Sequence, residues 1–333
     1  MRKTDIARTY IEKYIEIGQR TGKGYSKKFI ATVLYSENPE VFKDSEDARK
    51  YIRMALNANG NRDNSKKNEE LTSRFALLSE PQSELANLEP YSIPKGYVNT
   101  LVMGDIHSKF YDRKALETAI NDGLKNGCDS VIINGDFMDF YQYSKFDKNP
   151  RVVSDFYTEQ EWGVDVLSLL QDTFGIVYLK KGNHDIRLEL HTQKLSASMP
   201  ELQDYITYQD WLFYKGTNTV FIEDYRHIQY GKLNIIHGHE YQGGGGIHVA
   251  HNRLNKTFDN VLSAHSHKSQ SLIKTTINRE VFGSWTIGCM CSLSPRYSPK
   301  NDWTNGYAII KKDSSGDFEV ENKVIFNSRI FSV

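Results

Sequence analysis

The sequence predicts a layered α/β domain over residues 96–333, preceded by a small all-α domain over 1–57, with 58–95 as the connection. Three observations predict it. Apolar residues recur at helical spacing through the first 57 positions, a polar run follows, and from Tyr97 onward short apolar strands alternate with helical stretches.

In the first domain, Ile6, Tyr10, Tyr14 and Ile17 predict a helix over 5–18, with Gly18, Gly22 and Gly24 as the break. Ser26 can cap a second helix carrying Phe29, Ile30, Val33 and Leu34, which stops before Asn38-Pro39. Ser45 opens a third, with Ala48, Tyr51, Ile52 and Leu56 on one face. Three helices of this size have the dimensions of a helix-turn-helix module. Arg49, Lys50 and Arg53 fall on the polar side of the third, and Lys27 and Lys28 begin the second. That surface suits nucleic-acid phosphates, or is simply the solvated face of a small bundle. Residues 58–68 lack apolar periodicity and read as linker.

In the second domain, strands are expected at 97–103, 130–134, 176–180, 233–237 and 261–264, and helices at 113–125 and 161–173. After Ser271 short strands continue without helices, as at 308–312 and 318–324. Each of the first five strands delivers Asp, His or Asn at its C-terminal end, where ligands bind in open α/β sheets.

Composition narrows the class. Of 333 residues, 39% are hydrophobic and 25% charged, enough for a sizeable core, and the mean hydropathy of -0.57 fits a polar surface. Lys plus Arg and Asp plus Glu are 42 each, so overall charge says nothing for or against a polyanion. Only Cys128, Cys289 and Cys291 are present, which excludes a disulfide framework and leads us to expect the cytoplasm. The Cys-x-Cys pair lacks a standard zinc spacing. No apolar run approaches the roughly 20 residues of a membrane span, so no membrane partner is expected. Oligomeric state is not legible.

The chemistry lies in five clusters, in order: Gly104-Asp-Ile-His107, Gly135-Asp-Phe-Met-Asp139, Gly182-Asn-His-Asp185, His237-Gly-His239 and His265-Ser-His267. Carboxylates and neutral imidazoles are the ligands preferred by borderline divalent cations, and an Asp can bridge two metals where a His cannot. Asp136 suits the bridge. Taken singly each cluster is ordinary, a turn with a surface histidine or strand alternation. All five together at buried strand ends would leave unpaired polar groups unless something binds there.

In these motifs, over residues 99–267, the chain resembles the calcineurin-like metallophosphoesterase superfamily. The resemblance implies a four-layer αββα sandwich, a β-sandwich flanked by helices, for the second domain. It implies that Asp105, His107, Asp136 and His267 hold one metal, while Asp136, Asn183, His237 and His265 hold the other. Two divalent ions are therefore expected as cofactors, manganese first, with iron, zinc, nickel or cobalt accepted by the same set. Such a pair, about 3.5–4 Å apart, activates a bridging water for in-line attack at phosphorus. By the same resemblance His184 faces the phosphate and donates a proton to the leaving group, with Asp139 orienting its ring. Asn183 and His184 would also touch substrate. His239 could contact substrate from behind the ligands, or merely support its turn. Ala264 stands where the family usually has Gly.

The resemblance fixes a phosphate-ester substrate without choosing it. The protein Ser/Thr phosphatase branch usually has Arg after the second motif's last Asp and Glu after Asn-His; here Phe140 and Asp185 stand there, which points away from that branch. Phe140, Tyr141, Tyr143, Phe146, Phe156 and Tyr157, with Lys145, Lys148 and Arg151 among them, could stack bases and meet phosphates, or pack as a lid. With the helical domain, they make DNA or RNA the expected partner and a nucleic-acid-directed phosphodiesterase or nuclease the first reading. The alternatives are a phosphatase or cyclic phosphodiesterase acting on small phosphorylated molecules, and an inactive nucleic-acid-binding regulator. Gly243 to Gly246 precede a helix expected over 247–256; their amides could meet a phosphate or form a flexible loop. His248 and His251 on that helix are expected to be solvated.

Overall fold

The computed structural model of the chain describes residues 2–56, 88–149, 152, 155–199, 201, 207–212, 218–241, 246–296 and 298–333. They divide into two compact units, Met1–Glu84 and Leu85–Val333.

The first unit holds α1 (Lys3–Thr21), α2 (Lys27–Glu37) and α3 (residues 45–56). Ile30 and Leu34 of α2 and Ala48 and Ile52 of α3 close around Phe42 as the helical spacing predicts, whereas α1 buries Ala7 and Ile11 there and packs the predicted Ile6, Tyr10 and Tyr14 at the edge. Helix α1 runs past Gly18 because the left-handed residue that ends it is Gly22, at φ 68°. Ser26 caps α2 through Phe29 N. Helix α3 opens at Ser45, as expected, and Asp44 caps it, its Oδ1 accepting from Asp47 N at 2.7 Å. Lys27, Lys28, Lys50 and Arg53 are exposed, whereas Arg49 pairs with Glu46 at 3.0 Å.

Most of the expected linker, residues 57–87, lies outside the described residues. Beyond it β1 (Tyr91–Ser92) pairs in parallel with β6 (Ile228–Tyr230), so the sheet structure of the second unit begins before residue 96.

The second unit is a sandwich of two sheets. One has seven strands in the order β13-β12-β11-β2-β3-β4-β5, with β2 (Asn99–Met103), β3 (Ser130–Asn134), β4 (Val177–Lys180) and β5 (Thr219–Ile222) parallel. The antiparallel part is β11 (Asn305–Lys312), β12 (Phe318–Phe326) and β13 (Arg329–Ser332). The other sheet has six strands in the order β1-β6-β7-β8-β10-β9, including β7 (Leu233–Ile235), β8 (Val261–Ser263), β9 (Gln270–Thr275) and β10 (Val281–Thr286).

Strands β2 to β4 are covered on both faces, which is why they read as unbroken apolar runs. Val102, Ile132 and Tyr178 meet Leu233, Ile235 and Leu262 between the sheets. Leu101, Ile133 and Leu179 face outward onto Leu116 of α4 (Arg113–Lys125) and Leu167 and Leu170 of α5 (Phe156–Phe174). Helix α6 (Arg187–Leu195) and the short α7 (Tyr208–Leu212) join that layer through Leu188, Tyr208 and Trp211. Helix α8 (Val249–Thr257) packs on the far sheet against β8, β9 and β10. The layers are therefore αββα, as expected.

Helix α5 starts five residues before the expected 161. Asp155 caps it, accepting from Thr158 N at 3.0 Å, which draws Phe156 and Tyr157 into its first turn.

Candidate metal centre

Parallel β2, β3 and β4 end on one edge, and β7 and β8, also parallel to each other, end beside them. The five clusters leave those ends. The loops are drawn together by backbone bonds: His107 N donates to Asp136 O at 2.9 Å, Asp105 N to Gly135 O at 3.0 Å and Ala264 N to His237 O at 2.8 Å. Glycine is required where they touch. A Cβ on Gly135, at φ 82°, would stand 2.2 Å from His237 Nδ1, and one on Gly182 would stand 2.3 Å from Asp136 Oδ1. Ala264 is tolerated because its methyl lies against Gly104, which has none.

Asp105, His107, Asp136, His265 and His267 all adopt left-handed backbone, with φ between 51° and 65°. Five such residues in one spot is the kind of local strain that accompanies binding sites.

The structure brings the expected ligands together. Asp136 Oδ2 lies 3.3 Å from His237 Nε2, and Asp136 Oδ1 accepts from His184 N at 2.8 Å. Asp105 Oδ1 lies 3.4 Å from His267 Nε2, and His107 Nε2 lies 3.3 Å from the same nitrogen. Asp105 Oδ2 accepts from His265 N at 2.8 Å. Asn183 sits between Gly182 and His184, both of which press on Asp136. Asp105, His107 and Asp136 form one cluster able to hold a cation, and Asp136, His237 and His265 form another. Asp136 belongs to both.

The donor atoms fit that use. His237 donates its Nδ1 proton to Asn134 O at 2.7 Å, which fixes the tautomer with a lone pair on Nε2. His237 Nε2, His265 Nδ1, Asp105 Oδ1 and Asn183 Oδ1 are buried without a hydrogen bond. His237 Nε2 and Asp105 Oδ1 face ion-pair partners at 3.3 and 3.4 Å, whereas His265 Nδ1 and Asn183 Oδ1 have none, and a buried polar atom left this way costs about 1–3 kcal/mol, so the centre is suited to a ligand.

Charge reinforces this. Burial opposes ionisation of Asp136, yet His237 and then His184 hold its carboxyl well below the usual carboxylate range. Burial likewise opposes a charged His267, but Asp105 keeps it up at about 10. Burial and His237 together push His265 down to about 4.

The sequence model of the calcineurin-like phosphoesterase family matches residues 98–271, a span that contains every one of these clusters. The chain belongs to the calcineurin-like phosphoesterases. That family typically binds divalent metals. Curated relatives are the gene 54 proteins of Mycobacterium phages L5 and D29. The L5 protein is 24% identical over 64% of this chain and 88% of its own, and the D29 protein 22% identical over 65% and 89%. Among solved structures, Chaetomium thermophilum Vps29 is similar at a TM-score of 0.37 and 10% identity, covering 71% of this chain and 97% of that one.

Beside the clusters able to hold a cation lies the expected pair of His184 and Asp139. Asp139 Oδ1 accepts from His184 Nδ1 at 2.8 Å and also meets His107 Nδ1 at 3.1 Å. Burial lowers the His184 pKa below the usual imidazole value, against the pull of Asp136. His239 stands one ring behind, 5.3 Å from His237 centroid to centroid, with Asp224 and Glu240 at 3.9 and 3.7 Å.

Four residues that sequence reasoning missed hold this arrangement. Asp185 accepts from Met138 N, Gly182 N and Tyr208 Oη at 2.9, 2.8 and 3.0 Å, tying the third loop to the second. Burial, with Asp136 nearby, pushes its pKa up to about 6. Glu159 of α5 accepts from Asp139 N and Phe140 N at 3.1 and 3.0 Å and from the Ser108 hydroxyl. Arg187 touches His184, and Cys291 Sγ lies 3.8 Å from His267 Nδ1. Arg187 carried a sequence signal in its place at a helix start just beyond Asn183-His184, and Asp185 stood within the third cluster with no role assigned to it.

The aromatic string divides. Phe140 is buried against Trp211, Phe156 packs on the same ring, Tyr143 stacks on His191, and Tyr141 meets Phe110. Phe146 and Tyr157 are each 69% exposed, the first with Lys145 Nζ over its ring and the second edge-on against Phe156. Arg151 lies outside the described residues, as do Gly243 to Gly245. His248 and His251 are exposed, as expected. Among the described residues, no helix is long and apolar enough to cross a membrane.

Proposed function

We propose that the chain hydrolyses phosphate esters with two divalent cations, and that its substrates are phosphodiesters of nucleic acid. The convergence of Asp105, His107, Asp136, His237 and His265 into two clusters that share Asp136, with His265 Nδ1 and Asn183 Oδ1 buried and unpartnered beside them, supports the reading. Asp105, His107, Asp136 and His267 would hold one cation, and Asp136, Asn183, His237 and His265 the other. Manganese is the first candidate; iron, zinc, nickel and cobalt suit the same nitrogen and oxygen donors. When bound, such a pair supplies an activated water and charge stabilisation at phosphorus.

The remaining residues handle the proton and the substrate. His184 presents Nε2 toward the centre, 4.0 Å from Asp136 Oδ2, and would protonate the leaving oxygen. Asp139 orients the ring from the Nδ1 side and stabilises its charged form. Asn183 would touch the phosphate beside it, and His239 would border the substrate from behind His237.

The exposed Lys27, Lys28, Lys50 and Arg53 support the nucleic-acid direction, as do Phe146 and Tyr157 beside Lys145 and Lys148. The inward packing of Phe140, Tyr141, Tyr143 and Phe156 favours a second reading, in which the substrate is a small phosphorylated molecule.

Paired assays with manganese separate the two. Cleavage of single- or double-stranded DNA or RNA is expected. It should weaken, along with its salt dependence, when Lys27, Lys28, Lys50 and Arg53 become Glu, while nitrophenyl esters turn over as before. Hydrolysis of nitrophenyl esters with every polynucleotide left intact would remove the nucleic-acid reading.

A further inference from the structure

Arg187 opens α6, and its guanidinium lies against the imidazole of His184. Arg187 Nη1 donates to Asp139 O at 2.8 Å, and Nη2 stands 2.9 Å from His184 Nε2. Guanidinium can only donate and a carboxylate can only accept, so the contacts define the tautomer. The His184 proton sits on Nδ1, toward Asp139 Oδ1, and the Nε2 lone pair faces Arg187. The atom proposed to serve the leaving group is therefore covered by a cation, and once uncovered it must take up a proton from solvent before it can donate one.

The company Arg187 keeps is unusual for a half-buried cation. Lys180 and Lys181, on the strand leading into the same loop, are taken by Glu240 at 3.1 Å and by Glu189 and Glu223 at 2.7 and 2.8 Å. Arg187 comes no nearer to Asp139 Oδ2 than 3.8 Å, and its side chain is 16% exposed. Its contacts are a carbonyl oxygen and a neutral ring nitrogen, both weaker partners for a guanidinium than an anion would be. The covered nitrogen is itself 4.0 Å from Asp136 Oδ2, so a phosphoryl group held beside Asp136 would arrive next to the guanidinium.

We propose that Arg187 binds substrate: its guanidinium shifts from His184 Nε2 onto a phosphoryl oxygen of the phosphoester, so that phosphate binding and uncovering of His184 are one event. This rests on the phosphoesterase reading above. Asp139 O is the pivot, because the Nη1 bond can persist while Nη2 changes partner. The planar fork suits phosphate, and lysine cannot reproduce it.

The test uses the full manganese-loaded chain with inorganic phosphate as the probe, titrated calorimetrically, alongside kcat and KM on nitrophenyl esters. Arg187→Gln should keep its metal and weaken phosphate binding about 10- to 100-fold, with KM rising more than kcat falls. Arg187→Lys should recover only part of the affinity. Guanidinium ion added to Arg187→Ala should restore turnover. Unchanged phosphate affinity in Arg187→Gln, with kcat alone reduced, would mean that Arg187 only positions His184 and would overturn the proposal. A parent chain that binds no metal and cleaves no ester would overturn the phosphoesterase reading instead, and this inference with it.

Discussion

His237 turns its Nε2 to within 3.3 Å of Asp136 Oδ2 while the Asn134 carbonyl holds its other ring nitrogen at 2.7 Å. Both atoms thus face the same point from fixed positions. Asp136→Asn removes the carboxylate common to both clusters, and it should abolish bound metal and hydrolysis together. Elemental analysis of the purified variant checks this, and two metals per chain would contradict the shared role of Asp136.

His184→Ala leaves both ligand clusters complete. Metal content should match the parent, while turnover falls about 10²–10⁴-fold, the usual range for a lost general acid. The loss should be greatest for esters with poor leaving groups. Equal losses across a leaving-group series would take the proton-donating role from His184.

Metal uptake should release protons. Burial opposes a charged His237, but Asp136 beside it holds the metal-free pKa up at about 9. The ring is then protonated at neutral pH, and an incoming cation must displace that proton. Apparent metal affinity should therefore rise with pH through about 9 and on to about 10, where the proposed ligand His267 loses its proton as well. In the metal-free protein the sign for stability is opposite: the raised pKa stabilises fully below the ordinary imidazole value of about 6.5, and that contribution is lost as pH rises through about 9. Calorimetry at pH about 7 in two buffers of different ionisation enthalpy should give different apparent heats. Identical heats would mean that no proton leaves.

Away from the site, Asp122 of α4 accepts from Lys323 Nζ and Tyr307 Oη, each at 2.7 Å. Burial works against its charge, yet Lys323 and then Tyr307 lower its pKa below the usual carboxylate value. A depressed pKa contributes stability above the unfolded value and loses it as pH falls through the folded one. Asp122→Asn should cost about 1–3 kcal/mol near neutral pH, and the deficit should shrink in acid. Urea melts at two pH values measure it; a deficit independent of pH would mean that the charge of Asp122 contributes nothing.

The ligand loops were legible because each places Asp, Asn or His at the end of an apolar strand, next to Gly where backbones touch. His237 follows Leu233–Ile235, and Asp105 follows Asn99–Met103, so the pattern survives translation into space. Glu159 was not legible, because a carboxylate inside α5 looks like any solvated helix residue until the fold turns it inward onto Asp139 N. The start of α5 lies before the apolar periodicity because Asp155 caps it through Thr158 N, and the periodicity alone does not reveal a cap. The rings after Asp139 could not be sorted in advance, since aromatic residues serve stacking and packing alike and only the position of Trp211 decides which.

The left-handed backbone at Asp105, His107, Asp136, His265 and His267 bears on how such a protein can change over time. Each of those conformations costs about 1 kcal/mol or more for a residue with a side chain, and glycine would relieve it. Drift toward glycine at these positions should therefore harden the scaffold while erasing its chemistry, so durability and turnover pull in opposite directions here.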